Sequence, residues 1–152
     1  MTEEEQPKYT RDLNLQRAVD DVMGSSEFKG ITDFKVAAVF SRGNSPEDRE
    51  AASCRKIPNS IRTVTGIDFL LVFWRTPWDI MSKSKRHRTI VHELMHVDHT
   101  EKGEPKIRRH SGDFCEIPEH DNESAELAKK IPMSSALDTF DTQTKIHETG
   151  AD

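Results

Sequence analysis

Cysteine is scarce in this chain, tyrosine occurs once, and long apolar runs are missing. The two cysteines, Cys54 and Cys115, lie far apart and form no Cys-x-x-Cys pair, which excludes a disulfide framework and a cysteine zinc knuckle. The longest apolar run, Phe69 to Trp74, is far too short to cross a bilayer. The N-terminal Met-Thr-Glu-Glu-Glu has neither the basic nor the apolar region of a secretion signal, so a soluble, cytoplasmic protein with no membrane partner is expected. Basic charge is also in deficit: a net charge of −5 disfavours nucleic acid held by bulk charge, though a local basic patch stays open. With 34% hydrophobic and 32% charged residues, the composition suits a modest core with polar ends. A length of 152 residues suits one domain, expected as a monomer over residues 12–137, with a flexible stretch 1–11 and a disordered tail 138–152.

What is present divides into a few elements. Apolar residues at Leu13, Leu15, Ala18, Val19, Val22 and Met23 predict a helix ended by Gly24. Phe34 to Phe40 and Ile67 to Trp74 read as strands, the second buried on both faces. Between them, Ser45 to Ile57 is charged and reads as a loop or a brief helix ended by Pro58. Thr76 and Pro77 resemble a helix cap and first turn, opening a helix from Pro77 to Val97 with a break near Ser82 to Ser84. Gly103 and Pro105 mark a loop, and Asn122 to Ile131 a short helix stopped by Pro132. The fold class expected is α+β.

The chemistry is concentrated in His92-Glu93-Leu94-Met95-His96. Histidines four apart stand one helical turn apart on one face, where both imidazoles can reach a single zinc ion. Glu93 falls about 100° further round the helix, placed for a water rather than for the metal. His-Glu-x-x-His on a helix is a zinc peptidase signature with the glutamate as general base. With His92 at 0°, His96 lies at about 40°, whereas Ile90, Val91, Leu94 and Met95 span roughly 160° to 300°, so the apolar arc faces a core and the histidines a cleft. Asp98 would enter that apolar arc, so the helix should end or bend near Val97. The strand from Ile67 to Trp74 followed by the helix matches the way zincins lay a peptide beside the metal.

A catalytic zinc needs a third protein ligand. His99 lies about 10.5 Å along the helix from His92 and joins only if the helix unwinds. Further on, the candidates are His110, Asp113, Cys115 and Glu123. Thirteen residues containing Gly103 and Pro105 separate His96 from His110, enough to turn the chain back, and Phe114 would pack beneath His110. The stretch Asn122-Glu123-Ser124-Ala125-Glu126 has the look of a gluzincin's glutamate helix. Asp98 and Asp113 are candidates to orient the ligand imidazoles. His87 points away from the metal face, His120 could orient an oxyanion, and Lys83, Lys85, Arg86, Arg88, Lys102, Lys106, Arg108 and Arg109 read first as a solvated face.

His92 to His96 followed by His110-Ser111-Gly112-Asp113-Phe114 resembles the SprT-like metallopeptidases, whose second His-x-x-x-Phe element supplies the third ligand. The stretch from Arg55 to Phe114 is similar to the phage metallopeptidase family in the order Asp68-Phe69, Trp78-Asp79, His92 to His96, Lys102-Gly103-Glu104-Pro105-Lys106 and Arg108-Arg109-His110. It departs from that family at Arg109-His110-Ser111, where Pro-His-Asp is usual. The resemblance implies a mini-zincin fold, Zn2+ held by His92, His96 and His110, Glu93 as catalytic base, and a protein or peptide substrate. The rival expectation is a zinc-stabilised, phage-encoded binding or inhibitor module without proteolysis. An amidase acting on peptidoglycan is disfavoured for want of an export signal.

Overall fold

A computed structural model describes residues 7–45, 50–110 and 122–140. The chain runs β1 (Tyr9–Arg11), α1 (Leu13–Met23), a 3-10 turn (Ser26–Ile31), β2 (Val36–Ser41), β3 (Ala52–Lys56), α2 (Asn59–Thr65), β4 (Phe69–Trp74), α3 (Arg75–Ile80), α4 (Lys83–Met95), β5 (Val97–His99), β6 (Pro105–Ile107) and α5 (Asn122–Lys130), with a last 3-10 turn at Ser135–Leu137. This is a mixed α+β fold with a small sheet and packed helices.

Four strands form the main sheet in the order β1-β2-β4-β3, with β2 and β4 parallel and the two outer strands antiparallel to their neighbours. Register explains the core. Val36, Ala38 and Phe40 stand beside Phe69, Leu71 and Phe73, and all six join one buried cluster with the apolar faces of α1 and α4. Opposed residues point to the same face of a sheet. Ala52, Cys54 and Lys56 oppose Phe73, Leu71 and Phe69, so β3 directs these three side chains to the helix side as well. That makes β3 the edge strand above α4.

Several elements depart from the sequence expectation. Residues 52–56 form an edge strand where a loop or brief helix was expected, because an edge strand half open to water tolerates Arg55 and Lys56 and so loses the apolar run that marks a central strand. The strand bordering the helix face is consequently β3, while β4 lies inside the sheet. The long helix is broken as expected, but its cap differs: α3 starts at Arg75 with no side-chain cap, and Ser82 Oγ caps α4 by accepting from the Lys85 N–H at 3.1 Å. The break is held by Arg86, 1% exposed, which donates to the carbonyls of Trp78 and Asp79 and lies over the Trp78 ring. Arg86 is therefore a structural group and no part of a basic surface run.

The packed unit also reaches past residues 12 and 137. Tyr9–Arg11 pair with β2, and Phe140, 4% exposed, sits edge-to-face against Phe40 and Trp78. No helix among the described residues is long and apolar enough to cross a membrane. Truncating a buried phenylalanine leaves a cavity, so Phe140→Ala is expected to cost about 3–5 kcal/mol in urea unfolding. Ending the chain after Phe140 is expected to leave stability unchanged.

Candidate metal centre

Helix α4 carries the motif through the middle of the molecule. Ile90, Val91, Leu94 and Met95 join the core cluster, and on the other side His92, Glu93 and His96 are buried at 2%, 4% and 8% exposure. The helix ends at Met95 with His96 as its C-cap, in line with the end expected near Val97. The following residues do not form a plain loop. Val97–His99 and Pro105–Ile107 pair as an antiparallel hairpin, its turn containing Gly103 at φ 83°, a left-handed conformation that glycine adopts without a Cβ clash. Val97 opposes Ile107, so the hairpin returns the chain to the end of α4, where the Arg108 N–H donates to the His96 carbonyl at 2.7 Å. Two residues later His110 is beside the motif.

His92, His96 and His110 each offer one nitrogen, and these nitrogens lie within 4.8 Å of one another. Nε2 of His92 and Nε2 of His110 are 3.2 Å apart. Two nitrogens bound tetrahedrally to one ion at about 2.05 Å stand about 3.3 Å apart, so this pair already has a ligand spacing.

The remaining ring nitrogens test whether the set suits a cation. His96 Nδ1 lies 2.7 Å from the Arg108 carbonyl oxygen, which only accepts, so Nδ1 carries the proton and Nε2 a lone pair. His92 Nδ1 lies 3.1 Å from Ser124 Oγ, whose own hydrogen goes to Met95 Sδ at 3.2 Å. With its hydrogen on the sulfur, the serine oxygen can accept from His92 Nδ1, which leaves Nε2 as a lone pair for a cation. Burial, with the positive charge of the neighbouring histidines and Arg108, pulls the His96 pKa down to about 4, outweighing its hydrogen bond to the Arg108 carbonyl. The ring is neutral at physiological pH, as a metal ligand must be. These residues fit a bound cation.

The expected orienting groups were Asp98 and Asp113. Asp98 instead accepts from the His99 N–H at 2.8 Å, and the groups that hold the imidazoles are Ser124 and the Arg108 carbonyl. Glu123 is paired with Arg108, Oε1 to Nη2 at 2.9 Å. His99 is an exposed residue of β5. His87 points away from the three histidines, its Nε2 3.0 Å from the Ala128 carbonyl oxygen. Asp113, Phe114, Cys115 and His120 lie outside the described residues.

Glu93 lines a cleft of about 800 Å³ together with these rings, the β3 residues Ala52, Ser53 and Cys54, and the stretch from Pro105 to His110. Burial, assisted by the nearby Glu50 carboxylate, pushes the Glu93 pKa up to about 8. Burial also raises the Cys54 thiol, with the Glu93 charge adding to it, so this thiol stays protonated.

The profile of the family described as "Putative phage metallopeptidase" matches residues 7–131. The chain belongs to this phage metallopeptidase family. No curated protein and no solved structure matches it. The family match spans every described element from β1 to α5, so the Ser124 and Arg108 contacts of this phage metallopeptidase family member fall inside the matched region.

Two outcomes follow for the metal-free protein and its metal uptake. Ser124→Ala is expected to lower divalent-metal affinity about tenfold or more, as loss of an imidazole's orienting partner does, with the fold kept; a competition assay with a chromogenic chelator measures it. Glu93 is protonated in the folded state between about pH 4.5 and about pH 8, where the unfolded carboxyl is ionised. Folding then takes up a proton, so stability falls as pH rises through that window. Urea unfolding in chelator should show wild type losing up to about 4 kcal/mol relative to Glu93→Gln between those limits.

Proposed function

We propose that this chain is a zinc-dependent peptidase with a mini-zincin arrangement, in which His92, His96 and His110 hold Zn2+ and Glu93 is the general base. The observation that carries the reading is the convergence of three imidazole nitrogens beside a buried glutamate, in a cleft bordered by a sheet edge. Three imidazoles would form a borderline donor set that suits zinc, which in catalytic sites takes three protein ligands and a water. When bound, zinc supplies a Lewis acid that polarises the scissile carbonyl and acidifies water.

The chain's own groups do the rest. Ser124 and the Arg108 carbonyl hold the Nδ1 protons of His92 and His96, so both Nε2 lone pairs keep one direction. Strand β3, at the edge of the sheet, offers main-chain groups to an extended peptide, which fixes the scissile bond over α4 by strand addition. Glu93 takes a proton from the attacking water onto a carboxylate oxygen and delivers it to the leaving nitrogen. A carboxylate buried beside the histidines in the cleft is placed to take that proton and return it. The substrate class is accordingly a protein or peptide bound in extended form.

The decisive variant is Glu93→Gln, expected to retain zinc and the fold while peptide hydrolysis falls by a factor of at least about 100, the scale of general-base catalysis. His110→Ala is expected to lose zinc, and Glu123→Gln to keep it. Metal retained by His110→Ala but lost by Glu123→Gln would move the third ligand to α5. A wild-type chain that binds zinc and hydrolyses no peptide would favour a zinc-stabilised binding module.

A further inference from the structure

The walls of the cleft carry more positive charge than the peptidase reading uses. Lys56, Lys106, Arg108 and Arg109 line it, against the carboxylates Glu50 and Glu93. Glu93 is buried, and Arg108 is engaged by Glu123. Lys56, Lys106 and Arg109 are exposed, and no ion pair is formed by any of them among the described residues. They come from two elements of its lining, β3 and the stretch from β6 to His110. Lys56 ends β3 on its helix-facing side, two residues or about 7 Å along the strand from Cys54. Lys106 lies in β6 and Arg109 follows it, next to His110.

Among the described residues this lining is cationic, in a chain whose net charge is −5, so the imbalance is local. We infer that the cleft selects peptide segments carrying acidic side chains close to the scissile bond, with Lys56, Lys106 and Arg109 as the specificity-determining residues. The inference rests on the reading of the cleft as a peptide site. A side chain on a strand projects to the same face every second residue, so an extended peptide lying along β3 brings alternate residues into the cleft that Lys56, Lys106 and Arg109 line. Among the described residues these cations have no carboxylate partner to offset their charge towards a ligand, and charges in a cleft are screened less than those on an open face. A nucleic acid fits less well. It requires a long stripe of cations to meet successive phosphates, whereas here the exposed Glu101 and Glu104 of the β5–β6 turn lie just beyond Lys106.

The test is fluorescence anisotropy of labelled peptides on the full-length, zinc-loaded Glu93→Gln protein, with one scaffold carrying aspartates, the matching asparagines, or lysines. Single-stranded DNA of equal charge serves as the competing probe. The aspartate peptide is expected to bind about tenfold tighter than the asparagine peptide at low salt, and the advantage should vanish in Lys56→Gln/Lys106→Gln/Arg109→Gln. The advantage should also shrink as salt rises in the protein with its lysines and arginine intact, a readout that does not depend on the triple variant folding. Equal affinity for the aspartate and asparagine peptides, a preference surviving the triple substitution, or tighter binding of the DNA would overturn the assignment. Tight binding of the aspartate peptide that the wild-type enzyme fails to cut would contradict the peptidase reading and still support the acidic preference.

Discussion

Everything at this centre depends on how two imidazoles of α4 are held by their far nitrogens. A histidine offers a metal one lone pair only if the other ring nitrogen carries the proton, and a free ring rotates between unproductive directions. Here the Arg108 carbonyl fixes His96 and the Ser124 hydroxyl fixes His92. The Met95 sulfur, one residue before His96, takes the serine's own hydrogen and so fixes which way that hydroxyl points. The two partners come from separate elements, but they are joined, because the Arg108 side chain is bonded to Glu123, the neighbour of Ser124. One short network thus spans α4, the segment that follows the hairpin, and α5.

The fold exists to present that network. Parallel β2 and β4 put six apolar side chains on one face, and that face buries one side of α4. The same register points Ala52 and Cys54 of β3 toward the helix, so small residues of the edge strand line the cleft and leave room beside Glu93. At the other end of α4, Arg86 ties the helix to the carbonyls of α3 inside a cluster of Phe40, Phe73, Trp78 and Phe140. A helix anchored at both ends holds its histidines steady.

The parts legible in the sequence were those set by local pattern. Helix α1 runs from Leu13 to Met23 as its apolar period requires, with Asp12 accepting from the Leu15 N–H at 2.9 Å as its cap. The break before α4, its end at His96, and the pairing of His92 with His96 follow from spacing in the same way. The approach of His110 was legible as a motif, while the hairpin that produces it was not, since Val97–His99 and Pro105–Ile107 are only three residues each and carry no alternating run. Strand β3 was missed because an edge position permits charge. Ser124 was hidden more thoroughly: a serine in the first turn of a short helix looks like any capping residue, and only the packing of α5 on α4 brings it to His92.

Zinc-edge anomalous diffraction from crystals of the zinc-loaded protein tests the central claim most directly. One strong peak is expected about 2.1 Å from the Nε2 atoms of His92, His96 and His110, with Ser124 and the Arg108 carbonyl still on the Nδ1 atoms. A peak coordinated through Nδ1, or one held by Glu123 or Cys115 in place of His110, would contradict it.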